Sequence, residues 1–412
     1  MKKLIISLLL CFICLPLKTV SAEALKIKAD STLVYDVTSG KILYESHAKE
    51  KVPVASRSKA LTAYLVYKAV DNKKIKWNTP VKISNYPYEL TANYDISNVP
   101  LDAREYTVEE LLEAMLVTNA NSAAIALAEK ISGTEPLFVD LMKKQLKEWG
   151  INQNTVVNAT GLPNSILGSN RYPKSKEDAE NLFSALDLAI VSRHLLQEYP
   201  QVLKLTNKAT TTFSGTSIYS YNYMLKGMPF ERPDINGLFV GYSEKNGASF
   251  MASSKQNKMH LVTIVLNAKS TDTDEFPHFK ATNQLLNHIY SHFEKKALIS
   301  KGSKLSGKTL TVADSPQKEV SLTAKETLYI VQKKGEDTSD SIEVRPLHKQ
   351  VTAPVKAKQT LAKASFKDKA IIGTGYLGET PSVELVSKDD IKKSFFLKVW
   401  WNHFVNYVNE EL

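Results

Sequence analysis

Cys11 and Cys14 are the only cysteines in a chain of 412 residues, and both lie in the apolar run Leu4 to Leu17. Met1-Lys2-Lys3 supplies a basic start to that run, and Val20-Ser21-Ala22 supplies small residues at cleavage spacing. The combination reads as a secretory signal peptide over residues 1–22, too short and wrongly flanked for a spanning helix. Neither cysteine follows a small residue, so the leader carries no lipoprotein signature. Cleavage after Ala22 leaves a chain without cysteine, so the exported protein must be held together by core burial, with no disulfide. The composition permits this. At 43% hydrophobic and 23% charged the chain is globular, neither disordered nor fibrous. Its length suits two or three domains. The formal charge of +10 falls to +7 once Lys2, Lys3 and Lys18 are removed, too little and too dispersed for a nucleic-acid binder.

Residues 31 to 45 predict a β-hairpin turning at Thr38-Ser39-Gly40. After the extended Pro53-Val54-Ala55, residues Leu61, Tyr64, Leu65 and Ala69 recur at helical spacing. Helices are predicted over 108–131, broken at Thr118-Asn119-Ala120-Asn121, and again over 137–149 and 178–197. From Asn236 to Asn267 the texture turns to β, with a turn at Lys245-Asn246-Gly247, and a helix over about 278–295 follows. Beyond Lys295 come short segments rich in Val, Ile, Thr and Lys. LYIVQ at 328–332 and AIIGTGYL at 370–377 are the clearest of them. This predicts a separate β domain over 295–388.

The segment 389–412 differs again. On a helical wheel Phe396, Leu397, Trp400, Trp401, Phe404, Val405, Tyr407, Val408 and Leu412 share one half. A terminal stripe with paired tryptophans suits a membrane interface better than a helix docked on its own core. The few basic residues on the polar half argue for hydrophobic anchoring.

A Ser-x-x-Lys spacing sets a hydroxyl and an amine one turn apart on a helix, where a desolvated amine can take the serine proton. The bare pattern is cheap and occurs at Ser46–Lys49, Ser56–Lys59 and Ser315–Lys318. Only Ser56 opens a strongly apolar helix. Its context, VPVASRSKALTAYLVYKA, resembles the nucleophile helix of the penicillin-binding D-alanyl-D-alanine carboxypeptidases of low molecular mass, Gram-positive type. The resemblance extends through TSGKILYE, YTVEELLEAMLV, NSAAIALAEK, VVNATGL, NGL…G and FFLKVWWN, nearly the whole chain.

That resemblance implies an α/β (α+β) fold: a penicillin-recognising, β-lactamase-like domain over 23–294, then a small all-β stalk, then an amphipathic helix. It implies Ser56 as nucleophile, Lys59 as general base and Asn121 as the residue that positions substrate. Two motifs depart from the family pattern. Asn119 stands where the family has a proton-shuttling serine. Phe239 and Val240 stand where a lysine and a threonine grip the terminal carboxylate, and of that strand motif Gly241 alone survives. Lys245 lies too far along to substitute. The oxyanion hole, implied to be the amides of Ser56 and Tyr242, does not depend on those side chains.

Three lost contacts to charged groups, each ~1.5–3 kcal/mol, bound the loss at ~5–9 kcal/mol, or ~10³ to ~10⁶ in rate. Acylation by a reactive β-lactam should therefore outlast turnover of peptide. The expected function is removal of terminal D-Ala from peptidoglycan pentapeptides through an acyl-enzyme on Ser56, with reduced or altered activity. The alternative is a non-catalytic paralogue that binds peptidoglycan or an envelope partner; a β-lactamase is a weaker third. Peptidoglycan stem peptide, β-lactams and the outer face of the cytoplasmic membrane are the implied partners. No cofactor or metal is implied: His288 and His292 have i,i+4 spacing but no third ligand nearby, and Asp272, Asp274 and Glu275 read as a polar loop.

Overall fold

STLVYD at 31–36 is buried at every position, which requires neighbours on both sides and cover on both faces. A computed structural model describes residues 25–243, 247–271 and 274–411. The expected leader, Lys245 and Asp272 lie outside them. Strand β1 (Ser31–Asp36) sits inside a five-stranded antiparallel sheet. The other strands are β2 (Ile42–Ser46), β3 (Ile235–Ser243), β4 (Gly247–Gln256) and β5 (Met259–Ala268). Their order is β2-β1-β5-β4-β3, which leaves β3 at an edge.

The period-two rule divides two cores across this sheet. Val262, Ile264 and Leu266 of β5 join Leu33 and Tyr35 in a large core beneath the helices. Leu261 and Val265 join Val34 on the opposite face, with Phe279, Leu285 and Leu286 of helix α6.

Helix α1 (Lys59–Asp71) begins directly after a 3₁₀ turn, Ala55–Ser58, and is buried at ten of its thirteen positions. A helix so thoroughly covered is a central one. Around it lie α2 (Val108–Thr118), α3 (Asn121–Ser132), α4 (Glu135–Glu148) and α5 (Ala185–Glu198). Helix α6 (Pro277–His292) covers the other face. A capping box between Thr107 and Glu110 starts α2, and Asn119 ends it with a left-handed φ of 57°. The predicted helix over 178–197 begins only at Ala185. Its capping residue Ser184 accepts from the Asp187 amide, and the buried Asn181 before it turns its side chain to Val157, Asn158 and Ser58.

Strand structure resumes at Phe293, where Phe293–Ile299 pairs with Leu328–Lys333. The predicted last turn of the preceding helix is thus strand. A six-stranded sheet built mainly of antiparallel pairs completes the β domain around Val320, Leu322, Leu361 and Leu385. The segment 370–377, which reads as a strand, is instead a loop that crosses to the first domain. Leu377 donates to the Gly40 carbonyl, Ile42 donates to that of Gly375, and a buried Lys41–Asp368 ion pair of 2.7 Å lies beneath. Its backbone groups are satisfied by the other domain, so the loop needs no strand partner of its own. Helix α7 (Phe396–Glu411) ends the described chain.

Candidate active site

Ser56 lies in the 3₁₀ turn, half-buried, and the next three residues are fully covered. The turn is set by Ala55 at a φ of 43° and packs on the edge strand β3. Ser58 donates to the Ala55 carbonyl at 3.0 Å and accepts from Asn181 at 3.1 Å, which fixes the turn from below.

The Lys59 amine lies 3.0 Å from Ser56 Oγ, 2.7 Å from Asn121 Oδ1 and 3.0 Å from the Thr160 carbonyl. It is wholly buried, and among the described residues no carboxylate pairs with it. Desolvation, with the charge of Arg57 as a smaller contribution, lowers its pKa to about 7. A neutral amine keeps two N–H groups for the two carbonyl-type oxygens and turns its lone pair toward the serine hydroxyl.

Thr160 is held in turn. Asn158 Oδ1 accepts from the amides of Thr160 and Gly161 and from the Thr160 hydroxyl. Glu135 Oε1 accepts from the Ala159 amide at 2.8 Å, and Thr62 donates to the Ala159 carbonyl. Burial raises the Glu135 carboxyl to about 7. Gly161 is obligatory here: at a φ of 85°, a Cβ would stand 1.9 Å from the Ala55 carbonyl oxygen.

The residues singled out from sequence come together around the Lys59 amine and the edge strand β3. Asn121 has both ends of its amide engaged, Oδ1 by Lys59 and Nδ2 by the Ser97 carbonyl at 2.9 Å. Its side chain thus links the Lys59 amine to the Ser97 backbone. Asn119 donates to the Val240 carbonyl at 3.1 Å, tying the end of α2 to β3. Phe239 and Val240 are buried, Phe239 in the core beneath the helices and Val240 in the core over α6, so neither offers a polar group to the cleft. Gly241 lies against Ser56 and Arg57. Tyr242, 61% exposed, is the strand residue that projects from this edge.

Arg57, Glu135, Asn158 and Thr160 were not picked out as site residues from sequence. Glu135 follows the capping Thr134 and reads as an ordinary first-turn acid. The Asn158-Ala159-Thr160-Gly161 run offered only its resemblance. His288 and His292 stack on one another at the exposed end of α6. A concavity of about 290 Å³ lined by Met224, Phe230 and Phe279 includes none of the residues around Ser56.

The family profile described as D-alanyl-D-alanine carboxypeptidase matches residues 18–270. The chain belongs to the D-alanyl-D-alanine carboxypeptidase family. A second profile, the C-terminal domain of penicillin-binding protein 5, matches residues 293–393. The D-alanyl-D-alanine carboxypeptidase DacF of Bacillus subtilis is 27% identical over 90% of this chain and 87% of its own length. A solved structure described as a peptidoglycan synthesis regulatory factor (PBP3) from Streptococcus pneumoniae is 44% identical. It superposes with a TM-score of 0.84 over 89% of this chain and all of that one. Penicillin-binding protein D2 of Listeria monocytogenes, solved with ampicillin bound, is 28% identical over 64% of this chain and 98% of that one, with a TM-score of 0.53. The fold is accordingly the α/β penicillin-recognising serine type followed by a C-terminal β domain. The departures at Asn119, Phe239 and Val240 fall within a family framework matched at both domains.

Proposed function

We propose that the protein is a serine-type D-Ala-D-Ala carboxypeptidase whose turnover is slowed by its altered second and third motifs. The observation that carries this reading is the Lys59 amine, 3.0 Å from Ser56 Oγ and desolvated to a pKa of about 7. A base with that pKa is half deprotonated near neutrality and is matched to proton transfer there. As Ser56 Oγ bonds to the penultimate D-Ala carbonyl carbon, its proton passes to Nζ. The terminal D-Ala then leaves with a proton on its nitrogen, and water releases the shortened peptide from Ser56.

The amides of Ser56 and Tyr242 would receive the oxyanion. Asn121 holds Lys59, and Asn119 holds β3 against α2. With Phe239 and Val240 buried, no side chain of those positions grips a free carboxylate, so binding of the terminal residue weakens while acylation persists. β-Lactams, which carry their own ring strain, are the expected acylating ligands.

The test is D-alanine release from a pentapeptide by wild type, Ser56→Ala, and a variant combining Asn119→Ser, Phe239→Lys and Val240→Thr. Slow wild-type release is expected, abolished by Ser56→Ala and raised about 10³-fold or more by the triple change. Release that survives Ser56→Ala overturns the reading. No release and no covalent labelling at Ser56 favours the non-catalytic alternative, for which the lost polar side chains at 119, 239 and 240 are the support.

The same reading places the protein on the outer face of the cytoplasmic membrane. Trp400 and Trp401 of α7 are 62% and 58% exposed, with Phe396, Leu397 and Phe404 beside them and Val408 following. His403, itself exposed, bonds to Asp314 of the β domain at 2.9 Å, which ties the helix to that domain. Among the described residues no helix is long and apolar enough to cross a membrane. An interfacial helix fits this arrangement.

A further inference from the structure

Arg57 is the least accounted-for group near the nucleophile. Its side chain is fully buried, and among the described residues its Nε and Nη1 have no hydrogen-bond partner. Among the described residues no carboxylate offsets its charge. A buried, unpaired guanidinium is costly and calls for an explanation. Its location supplies one. A Cβ built on Gly241 would meet Arg57 Nη1 at 2.3 Å and Ser56 Cβ at 3.3 Å, so the absence of a side chain at 241 makes the space that the guanidinium fills. The cation thus lies against the edge strand, adjoining the nucleophile and two residues from Lys59.

We propose that Arg57 is a positioning residue whose fixed, unpaired charge keeps the Lys59 amine neutral and able to accept the Ser56 proton. This rests on Lys59 being the base. Charges of one sign close together in a dry site oppose each other's protonation, and the guanidinium, the stronger base, keeps its proton. Among the described residues the groups that face this pair are few. Asn121 comes from α3, the Thr160 carbonyl from the 158–161 segment, and His278 from the start of α6. Burial, then Arg57, holds His278 down at about 4, so it is uncharged near neutrality. Asp274 faces His278 and pairs with Lys280. Glu135 titrates near 7 but touches Lys59 only through the Ala159–Thr160 backbone.

The test follows the Lys59 titration through folding, which needs no turnover. A lysine charged in the unfolded chain and neutral in the native one makes stability rise with pH from its native pKa upward. Urea midpoints would be measured between about pH 6 and 8, where Arg57 stays charged, for wild type, Lys59→Met, Arg57→Gln and Arg57→Lys. The wild-type rise should begin near pH 7 and vanish in Lys59→Met. In Arg57→Gln the onset should move up by about one pH unit, and in Arg57→Lys it should stay near wild type. The acid limb of Ser56 labelling by a fluorescent penicillin should move with it. A rise present in wild type, absent in Lys59→Met and unmoved in Arg57→Gln overturns the role of Arg57 while leaving Lys59 as base. A Lys59→Met profile identical to wild type overturns both. If Arg57→Gln does not fold, an onset displaced in Arg57→Lys overturns the proposal, because a second cation should preserve it.

Discussion

Ser56, Lys59 and Asn121 are the residues that motif spacing could indicate, because a one-turn separation on a helix is a local property. Their support is not local. Lys59 depends on a carbonyl a hundred positions away, and that carbonyl depends on Gly161. Gly161→Ala should cost about 3 kcal/mol or more, read as a lower urea midpoint, because its Cβ would meet backbone at a left-handed φ. Glu135 gives a second prediction at this scale. Its carboxyl, raised by burial from 4.5 to about 7, is protonated in the native state while the unfolded chain is ionised. Its stabilising contribution is complete below about pH 4.5 and is lost as pH rises through 7, a change of at most about 3 kcal/mol. In Glu135→Gln, stability should no longer fall across that window. That the acid at 135 supports the segment that meets Lys59 could not be read from sequence, because its partner, the Ala159 amide, is brought to it only by the fold.

Periodicity and capping located most elements well where one face decided them. The two helices flanking Asn119 were legible because a polar break interrupts two apolar repeats, and an αL cap needs a residue such as asparagine. Thr107→Ala should cost about 1 kcal/mol through loss of that helix's capping box, measured by thermal unfolding. The loop 370–377 was not legible, since AIIGTGYL has strand composition whether it pairs within a sheet or crosses a domain boundary. Helix α7 was legible as amphipathic, but its tie to the β domain joins His403 to Asp314, far apart in sequence. Replacing Trp400 and Trp401 with serine should abolish co-sedimentation with phospholipid vesicles while leaving labelling at Ser56 unchanged; labelled protein that still sediments would sink the anchoring proposal.

For the whole molecule the decisive contact is between the domains. Burial opposes ionisation of Asp368, but hydrogen bonds from Lys41 and Tyr376 outweigh it and hold the carboxyl low. Removing one partner of such a pair leaves a buried charge uncompensated, at about 3–5 kcal/mol. Lys41→Met should therefore split one calorimetric unfolding transition into two, as the β domain loses its tie to the β1–β2 hairpin.

The amino-acid sequence by itself determined the apolar leading run that holds both cysteines, the order of helical and β regions, the Ser56–Lys59 spacing at the head of an apolar helix and the three departures from the family pattern. Each of these is written in neighbouring residues or in a short period. The tertiary structure alone decided that Asn121 meets the Lys59 amine, that Asn119 ties α2 to β3, that Arg57 lies buried beside Ser56 with no carboxylate partner among the described residues, and that an apolar loop locks the two domains. Those outcomes depend on burial and on pairings across long sequence separations. Desolvation and distant hydrogen bonds set the charge of a group, and neither exists until the chain has folded.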